Sequence, residues 1–119
     1  MKELIVFESI KDSYVQIIKD LSAEIDGELS INVDTDLDQK YNTYITKLQD
    51  AVSLLKKARD ADDEIAIQAA LVYIKVYTMR LSNFFEDFKN DALLLSKSTG
   101  WPEIPDNYQV PEQYNFPHK

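Results

Sequence analysis

Residues 62–97 read DDEIAIQAALVYIKVYTMRLSNFFEDFKNDALLLSK, and this stretch decides the fold. Two apolar stripes run through it at the spacing of helix turns. The first stripe comprises Ile67, Leu71, Ile74, Leu81, Phe85, Phe88, Ala92 and Leu95, and the second comprises Ile65, Ala69, Val72, Val76 and Met79. Such spacing predicts one long amphipathic helix, and a helix that is apolar on two faces is usually central in a bundle.

An unbroken helix over this stretch would be about 54 Å long, longer than its neighbours can cover. Asn83 and Glu86 resemble a capping box, so a break near Ser82-Asn83 would give a fourth helix. The alternative is that the C-terminal tail folds back over the end of the helix. The sequence leaves both solutions open.

Two shorter helices are predicted upstream of this stretch, because apolar residues recur there at the spacing of helix turns. Residues 28–99 also contain no glycine or proline that would interrupt a helix. The first runs over about residues 3–25 and ends at Gly27, where a left-handed helix end favours glycine. The second begins near Asp36 or Asp38, either of which can cap it, and ends near Arg59. Acidic residues 60–64 then suit the start of the long helix, so a tight turn is expected there.

The segment between the first two helices alternates apolar and polar residues. Leu29, Ile31 and Val33 follow the period of a strand, but no partner strand is evident in the sequence. We therefore expect an extended loop whose three apolar side chains pack on the bundle.

The C-terminal tail, residues 99–119, holds all four prolines and several aromatic residues. We expect residues 1–98 to form the helical bundle and the tail to belong to the same domain, anchored by Trp101 on Phe88 or Leu95. The alternative is a docking peptide that enters a groove on a partner.

Composition excludes several classes of function. The 119 residues carry 13 Lys and Arg against 21 Asp and Glu, a net charge of −8. This balance argues against nucleic-acid binding, which relies on clustered Lys and Arg. The chain has no cysteine, which permits a cytoplasmic location, and no apolar run approaches the length of a membrane span, so no membrane insertion is expected.

No constellation in the sequence assembles a catalytic or metal site. His118 is the single histidine and is next to last, a poor place for a general base. Asp34, Asp36 and Asp38 have the spacing that opens a calcium loop, but Gln39 and Ile45 stand where glycine and a bidentate glutamate are required. We therefore expect no enzyme activity, no cofactor and no metal.

The acidic run before the second helix is the densest charge feature and can steer a basic partner. The predicted partner-binding residues are seven acids of this run and three aromatic residues of the tail: Asp20, Glu24, Asp26, Glu28, Asp34, Asp36, Asp38, Tyr108, Tyr114 and Phe116.

The sequence thus predicts an all-α, up-and-down bundle of three long helices, or four if the third breaks, with an extended Pro/aromatic tail. The predicted function is non-enzymatic binding of another protein with a basic surface, as an inhibitor, an immunity factor or an antagonist from a mobile element. In outline the architecture is similar to that of the small bacteriocin immunity proteins, a helical bundle of about this size followed by a C-terminal tail; no sequence motif contributes to this likeness. An acidic nucleic-acid mimic and an assembly or secretion chaperone are the alternatives, and the oligomeric state is left open.

Overall fold

The computed structural model describes residues 6–21, 27–98 and 100–116. This part of the chain contains three α-helices, α1 (Phe7–Asp20), α2 (Leu37–Asp60) and α3 (Glu64–Ser96), and one turn of 3-10 helix over Glu112–Tyr114. It contains no β-strand. The predicted all-α, three-helix architecture is confirmed.

Aspartates begin the two long helices, as the sequence indicates. Asp36 caps α2 by accepting a hydrogen bond from the N–H of Gln39, and Asp63 caps α3 through the N–H of Ala66, both at 3.0 Å. Between the helices Asp62 adopts a left-handed conformation with φ of 54°, which short polar residues tolerate best. The tight helix–helix turn is therefore present without a glycine.

The third helix is continuous, so of the two solutions that the sequence leaves open, the break near Ser82-Asn83 with a fourth helix after it does not occur. Leu81 and Phe84, on either side of that pair, are both buried. A break would rotate one of these side chains out of the core, whereas the unbroken helix keeps both on the same face.

The first helix is shorter than expected. It ends at Asp20, with Leu21 as its C-cap, and not at Gly27. The remaining predicted helical residues, 3–5 and 22–25, lie outside the described residues. Gly27 itself has a φ of 139°, so the chain still uses glycine there for a conformation that other residues rarely adopt, but in a loop.

The loop before α2 packs on the bundle at two of the three expected positions. Ile31 is buried and Leu29 packs against the same apolar cluster, while Val33 is exposed, contrary to expectation. The loop is held by Asp91 of α3, a buried carboxylate that accepts the N–H of Ser30 at 2.6 Å and of Ile31 at 2.9 Å. These bonds fix the loop at residues 30 and 31 and leave residue 33 free to face solvent.

The apolar core lies at one end of the molecule. Ile31, Leu37, Phe84 and Phe88 form its buried centre. The ring of Phe7 in α1 packs 4.9 Å from that of Phe84 and 5.2 Å from that of Phe88, centroid to centroid. This aromatic contact joins α1 to α3, and the ring of Tyr41 in α2 packs against that of Phe7 at 4.9 Å, with the two ring planes tilted by 42°.

Beyond this core the α2–α3 hairpin is uncovered. α1 is about 21 Å long and α3 about 50 Å, so α1 reaches only part of the hairpin. The molecule measures 60 × 32 × 30 Å with a radius of gyration of 19.8 Å, against about 13 Å for a compact domain of this size. Although a helix that is apolar on two faces is usually central in a bundle, α3 is covered on only one of them, since Ile65, Val72 and Met79 of its second stripe are exposed.

Candidate functional site

The amino-terminal ends of α1 and α2 cap each other. Asp38, in the first turn of α2, accepts hydrogen bonds from the N–H groups of Val6 and Phe7 through Oδ1, at 3.2 and 3.0 Å, and from that of Glu8 through Oδ2 at 3.0 Å. Glu8 in turn accepts the N–H of Leu37 at 2.8 Å. Each helix thus receives a negative charge at its positive end from the other.

These contacts perturb both carboxylates. The hydrogen bond from Lys11 Nζ, at 2.7 Å, lowers the pKa of Glu8, and the N–H of Leu37 lowers it further. Partial burial raises the pKa of Asp38, but the N–H groups of Phe7, Glu8 and Val6 outweigh it and leave the pKa below its ordinary value. Lys11 also donates to the carbonyl of Thr35 at 3.1 Å, which ties the loop to α1.

The structure divides the predicted acidic surface into exposed and engaged members. Asp20 lies exposed at the end of α1, and Glu28 and Asp34 are exposed in the loop. Asp36 is exposed but caps α2, and Asp38 is half-buried and caps α1. Glu24 and Asp26 lie outside the described residues. The contiguous acidic surface suggested by the sequence therefore contains carboxylates that already have intramolecular partners.

An open polar cleft of about 580 Å³ lies beside the two caps and is lined by Glu8, Asp36, Asp38 and Lys47, among others. The carboxylates that line this cleft, those of Glu8, Asp36 and Asp38, are the same ones that accept hydrogen bonds from backbone N–H groups at the helix starts. In residues 6–21, 27–98 and 100–116, no three His, Cys, Asp or Glu side chains come together to hold a metal ion. The position of His118 lies outside the described residues.

The tail contacts the bundle at its beginning. The indole Nε1–H of Trp101 donates to the carbonyl of Leu95, in the last turn of α3, at 2.6 Å. The ring remains about half exposed, at 46%. The expected anchoring of Trp101 on Leu95 is thus present as a hydrogen bond with partial burial of the ring, and the same carbonyl also accepts the backbone N–H of Ser98 at 3.3 Å.

Further along the tail the apolar side chains point into solvent. Ile104 is 80% exposed, and the predicted partner-binding residues Tyr108, Tyr114 and Phe116 are exposed as well. The 3-10 turn ends at Asn115, whose left-handed conformation redirects the chain. The structure therefore presents three aromatic rings and one isoleucine on the surface within thirteen residues.

A groove of about 730 Å³ lies where the tail leaves the bundle. Its apolar lining combines α1, the end of α3 and the start of the tail: Tyr14, Ile17, Ala92, Leu95, Trp101 and Ile104. Tyr14 donates to the carbonyl of Phe88 at 3.2 Å; burial, and then the charge of Asp91, raise the pKa of Tyr14. Its hydroxyl is thus neutral at physiological pH and serves as a structural hydrogen-bond donor.

None of the three helices in the described part has the length and hydropathy that a membrane-spanning helix requires. Comparison of the chain with protein-family models, with curated proteins and with solved structures finds no match.

Sequence reasoning missed two structural carboxylates, Glu8 and Asp91. Glu8 caps a helix that begins 29 residues later, and Asp91 binds a loop 60 residues earlier. Neither pairing has a local sequence signal. The sequence contains one indirect indication that Asp91 is buried, because it is a lone acid between the apolar positions Phe88 and Leu95 of a core-facing stripe.

Proposed function

We propose that this chain is a non-enzymatic protein that acts by binding another protein, as an inhibitor, immunity factor or antagonist. The observation that carries the proposal is the tail, where Ile104, Tyr108, Tyr114 and Phe116 are exposed on an extended, proline-containing segment. Large apolar side chains on a surface gain free energy when a partner covers them. Tyrosine in particular is enriched where protein surfaces meet.

The backbone of the tail suits this role. Prolines 102, 105 and 111 fix extended geometry along it, and such a segment loses little conformational entropy when it enters a groove. Its attachment through Trp101 holds the beginning of the tail on the end of α3.

The charge of the chain supports a basic partner. Asp20, Glu28 and Asp34 are exposed acids near the core end, and the net charge is −8. Such a field accelerates association with a positively charged surface and disfavours contact with nucleic acid or an anionic membrane. The cysteine-free composition is compatible with the cytoplasm, which we propose as the compartment.

The two alternative functions have less support. A nucleic-acid mimic needs a row of free carboxylates, and Asp36 and Asp38 already bind backbone N–H groups. A chaperone would hold an apolar segment in the groove between Tyr14, Leu95 and Trp101, and the volume of about 730 Å³ favours it as the second candidate. Steep loss of the partner with added salt distinguishes the mimic from the chaperone.

Site-directed photo-crosslinking in the native host tests the proposal. A photoreactive residue at position 108 should capture one partner, and the same residue at the exposed position Gln49 of α2 should not. Replacing Tyr108 and Tyr114 by Ser in a chain that carries the probe at position 104 should abolish capture, while replacing both by Phe should preserve it, because the rings remain. Equal capture by the Ser and Phe variants would contradict a role for the tail.

A further inference from the structure

The second apolar stripe of α3 is an unpaired seam of coiled-coil type. Its residues follow one another at intervals of four, three, four and three: Ile65, Ala69, Val72, Val76 and Met79. This is the spacing of a and d positions in a heptad repeat, the pattern by which one helix packs against another over several turns. Within the described chain, however, no helix lies on it.

The exposure of the seam is substantial. Ile65 is 81% exposed, Val72 51% and Met79 57%. These three are seven residues apart and therefore lie almost in line along the helix, over about 21 Å. α1 does not reach them, because it packs on Phe84 and Phe88 nearer the other end of α3. Burial of an apolar line of this length against a partner would lower its free energy relative to exposure to water.

The charge around the seam differs from that of the rest of the chain. Residues 45–80 carry six Lys and Arg and five Asp and Glu, a net charge of +1, so the other 83 residues carry −9. A basic partner is therefore drawn to the opposite end of the molecule. A second copy of this chain meets no net repulsion at the seam, which makes it the occupant that the charge distribution favours.

The orientation follows from the ends of the seam. Three consecutive acids, Asp62, Asp63 and Glu64, lie at and just before the start of α3, while Lys75 and Arg80 flank the far end of the seam. Antiparallel helices bring the acidic end of each copy toward the basic end of the other. Parallel helices would place the two acidic ends side by side. The three exposed residues Ile65, Val72 and Met79 are separated by seven and seven residues, so their spacing is the same in both directions and is complementary to itself about a two-fold axis near Val72.

We propose that two copies of this chain associate through the Ile65–Met79 seam, with their α3 helices antiparallel and the tails at opposite ends. This surface does not include the tail, so the inference goes beyond the proposed function and is tested without the heterologous partner. A dimer of this form would give the proposed function two identical binding ends.

Sedimentation of the full chain over a range of about 1 to 500 µM tests the association. The wild type should shift from monomer to dimer with concentration, and Val72→Glu should remain a monomer with an unchanged helical circular dichroism spectrum. Leu71→Glu is the matched control, because Leu71 is a neighbour with the same 51% exposure but points about 100° away from the seam. It should dimerise like the wild type.

Charge rescue distinguishes a lost interface from a damaged fold. Val72→Glu and Val72→Lys should each be monomeric alone and should form a mixed dimer when combined, because the two positions lie close together near the two-fold axis. A wild type that stays monomeric over the whole range, or a Leu71→Glu variant that dissociates while Val72→Glu does not, would overturn the proposal.

The cysteine-free chain allows the orientation to be read directly. Val72→Cys should oxidise to a covalent dimer, whereas Ile65→Cys should not, since antiparallel helices hold the two copies of position 65 about 21 Å apart. A mixture of Ile65→Cys and Met79→Cys chains should form the mixed disulfide. Efficient formation of the Ile65→Cys homodimer would instead indicate parallel helices and contradict the proposed arrangement.

Discussion

The carboxylate of Asp38 binds three backbone N–H groups at the start of α1, and this predicts a structural role for one member of the acidic run. Asp38→Ala should lower the free energy of unfolding by about 2 kcal/mol, because it leaves those donors without their charged acceptor. Urea denaturation followed by circular dichroism measures the loss.

Asp34 is the matched control for this variant, since it is an exposed aspartate four residues earlier. Asp34→Ala should change the free energy of unfolding by less than about 0.5 kcal/mol. If Asp34→Ala and Asp38→Ala have the same midpoint, the carboxylate of Asp38 does not stabilise α1, and the assignment of the whole run to a partner surface is favoured.

The same pair of caps predicts how stability depends on pH. The folded pKa values of Glu8 and Asp38 lie below their ordinary values, so the unfolded chain takes up protons at these groups first as the pH falls. Their contribution is present above the ordinary pKa of about 4 and is lost as the pH drops through the folded values. Urea midpoints of the wild type should therefore fall more between pH 6 and 3 than those of a Glu8→Gln, Asp38→Asn variant. Parallel profiles would show that these carboxylates do not contribute to the acid sensitivity.

For single residues, the sequence predicts the contacts that are made with residues close by in the chain. The cap of Asp36 on α2 is confirmed, because a helix start and its N-cap are adjacent in the chain. The cap of Asp38 on α1 joins residues about 30 positions apart. Nothing in the spacing of residues around Asp38 distinguishes these roles, since either aspartate can accept from the first turn of α2. Only the position of α1 decides between them.

Among the structural elements, the loop before α2 is held at residues 30 and 31 by one side chain of α3. Asp91 is buried, and its two oxygens accept the N–H groups of Ser30 and Ile31. Asp91→Ala should destabilise the fold by about 2–4 kcal/mol, because two donors lose their partner in a dry environment. Hydrogen exchange should be accelerated at residues 30 and 31 before the rest of the chain.

Two further variants define this prediction. Asp91→Asn keeps one acceptor oxygen but turns a donor toward the second N–H, so it should be intermediate. Asn90→Ala changes the exposed neighbour on the same helix and should alter the free energy of unfolding by less than about 0.5 kcal/mol. Wild-type exchange rates at Ser30 and Ile31 in the Asp91→Ala protein would mean that the loop is held by its apolar contacts alone.

Helix lengths were predictable where the breakers and caps are clear, and less so elsewhere. α2 and α3 begin and end close to the predicted residues, because aspartate caps and the absence of glycine and proline leave few alternatives. α1 ends earlier than its apolar stripe, which continues to Ile25 in the sequence. No glycine or proline marks the end of α1 at Leu21, and residues 22–26 lie outside the described part of the chain.

For the whole molecule, the outcome that the sequence did not predict is the mismatch between helix lengths. The two stripes of α3 were visible, but which of them is covered depends on where α1 packs and how far it reaches. Phe7 places α1 against Phe84 and Phe88, so its 14 residues cover one end of the hairpin and leave Ile65, Val72 and Met79 in solvent. The apolar pattern of a helix therefore indicates that a face needs a partner, but not that the partner belongs to the same chain.

The tail gives the last prediction at the scale of the molecule. The hydrogen bond from Trp101 to Leu95, with a ring about half buried, should contribute about 1–2 kcal/mol to stability. A protein ending at Gly100 should therefore have a lower urea midpoint than the full chain. Trp101→Ala in the full chain should account for most of that difference, and Phe116→Ala, at an exposed position, should account for none.

The comparison of these three proteins separates two properties of the tail. If the tail is anchored at Trp101 and free beyond it, stability depends on Trp101 and partner capture depends on Tyr108 and Tyr114. Equal midpoints for the full chain and the protein ending at Gly100 would show that the Trp101 contact adds no stability. A loss for Phe116→Ala as large as that for Trp101→Ala would show that the tail packs on the bundle along its length, and its aromatic rings would then not be free to bind another protein.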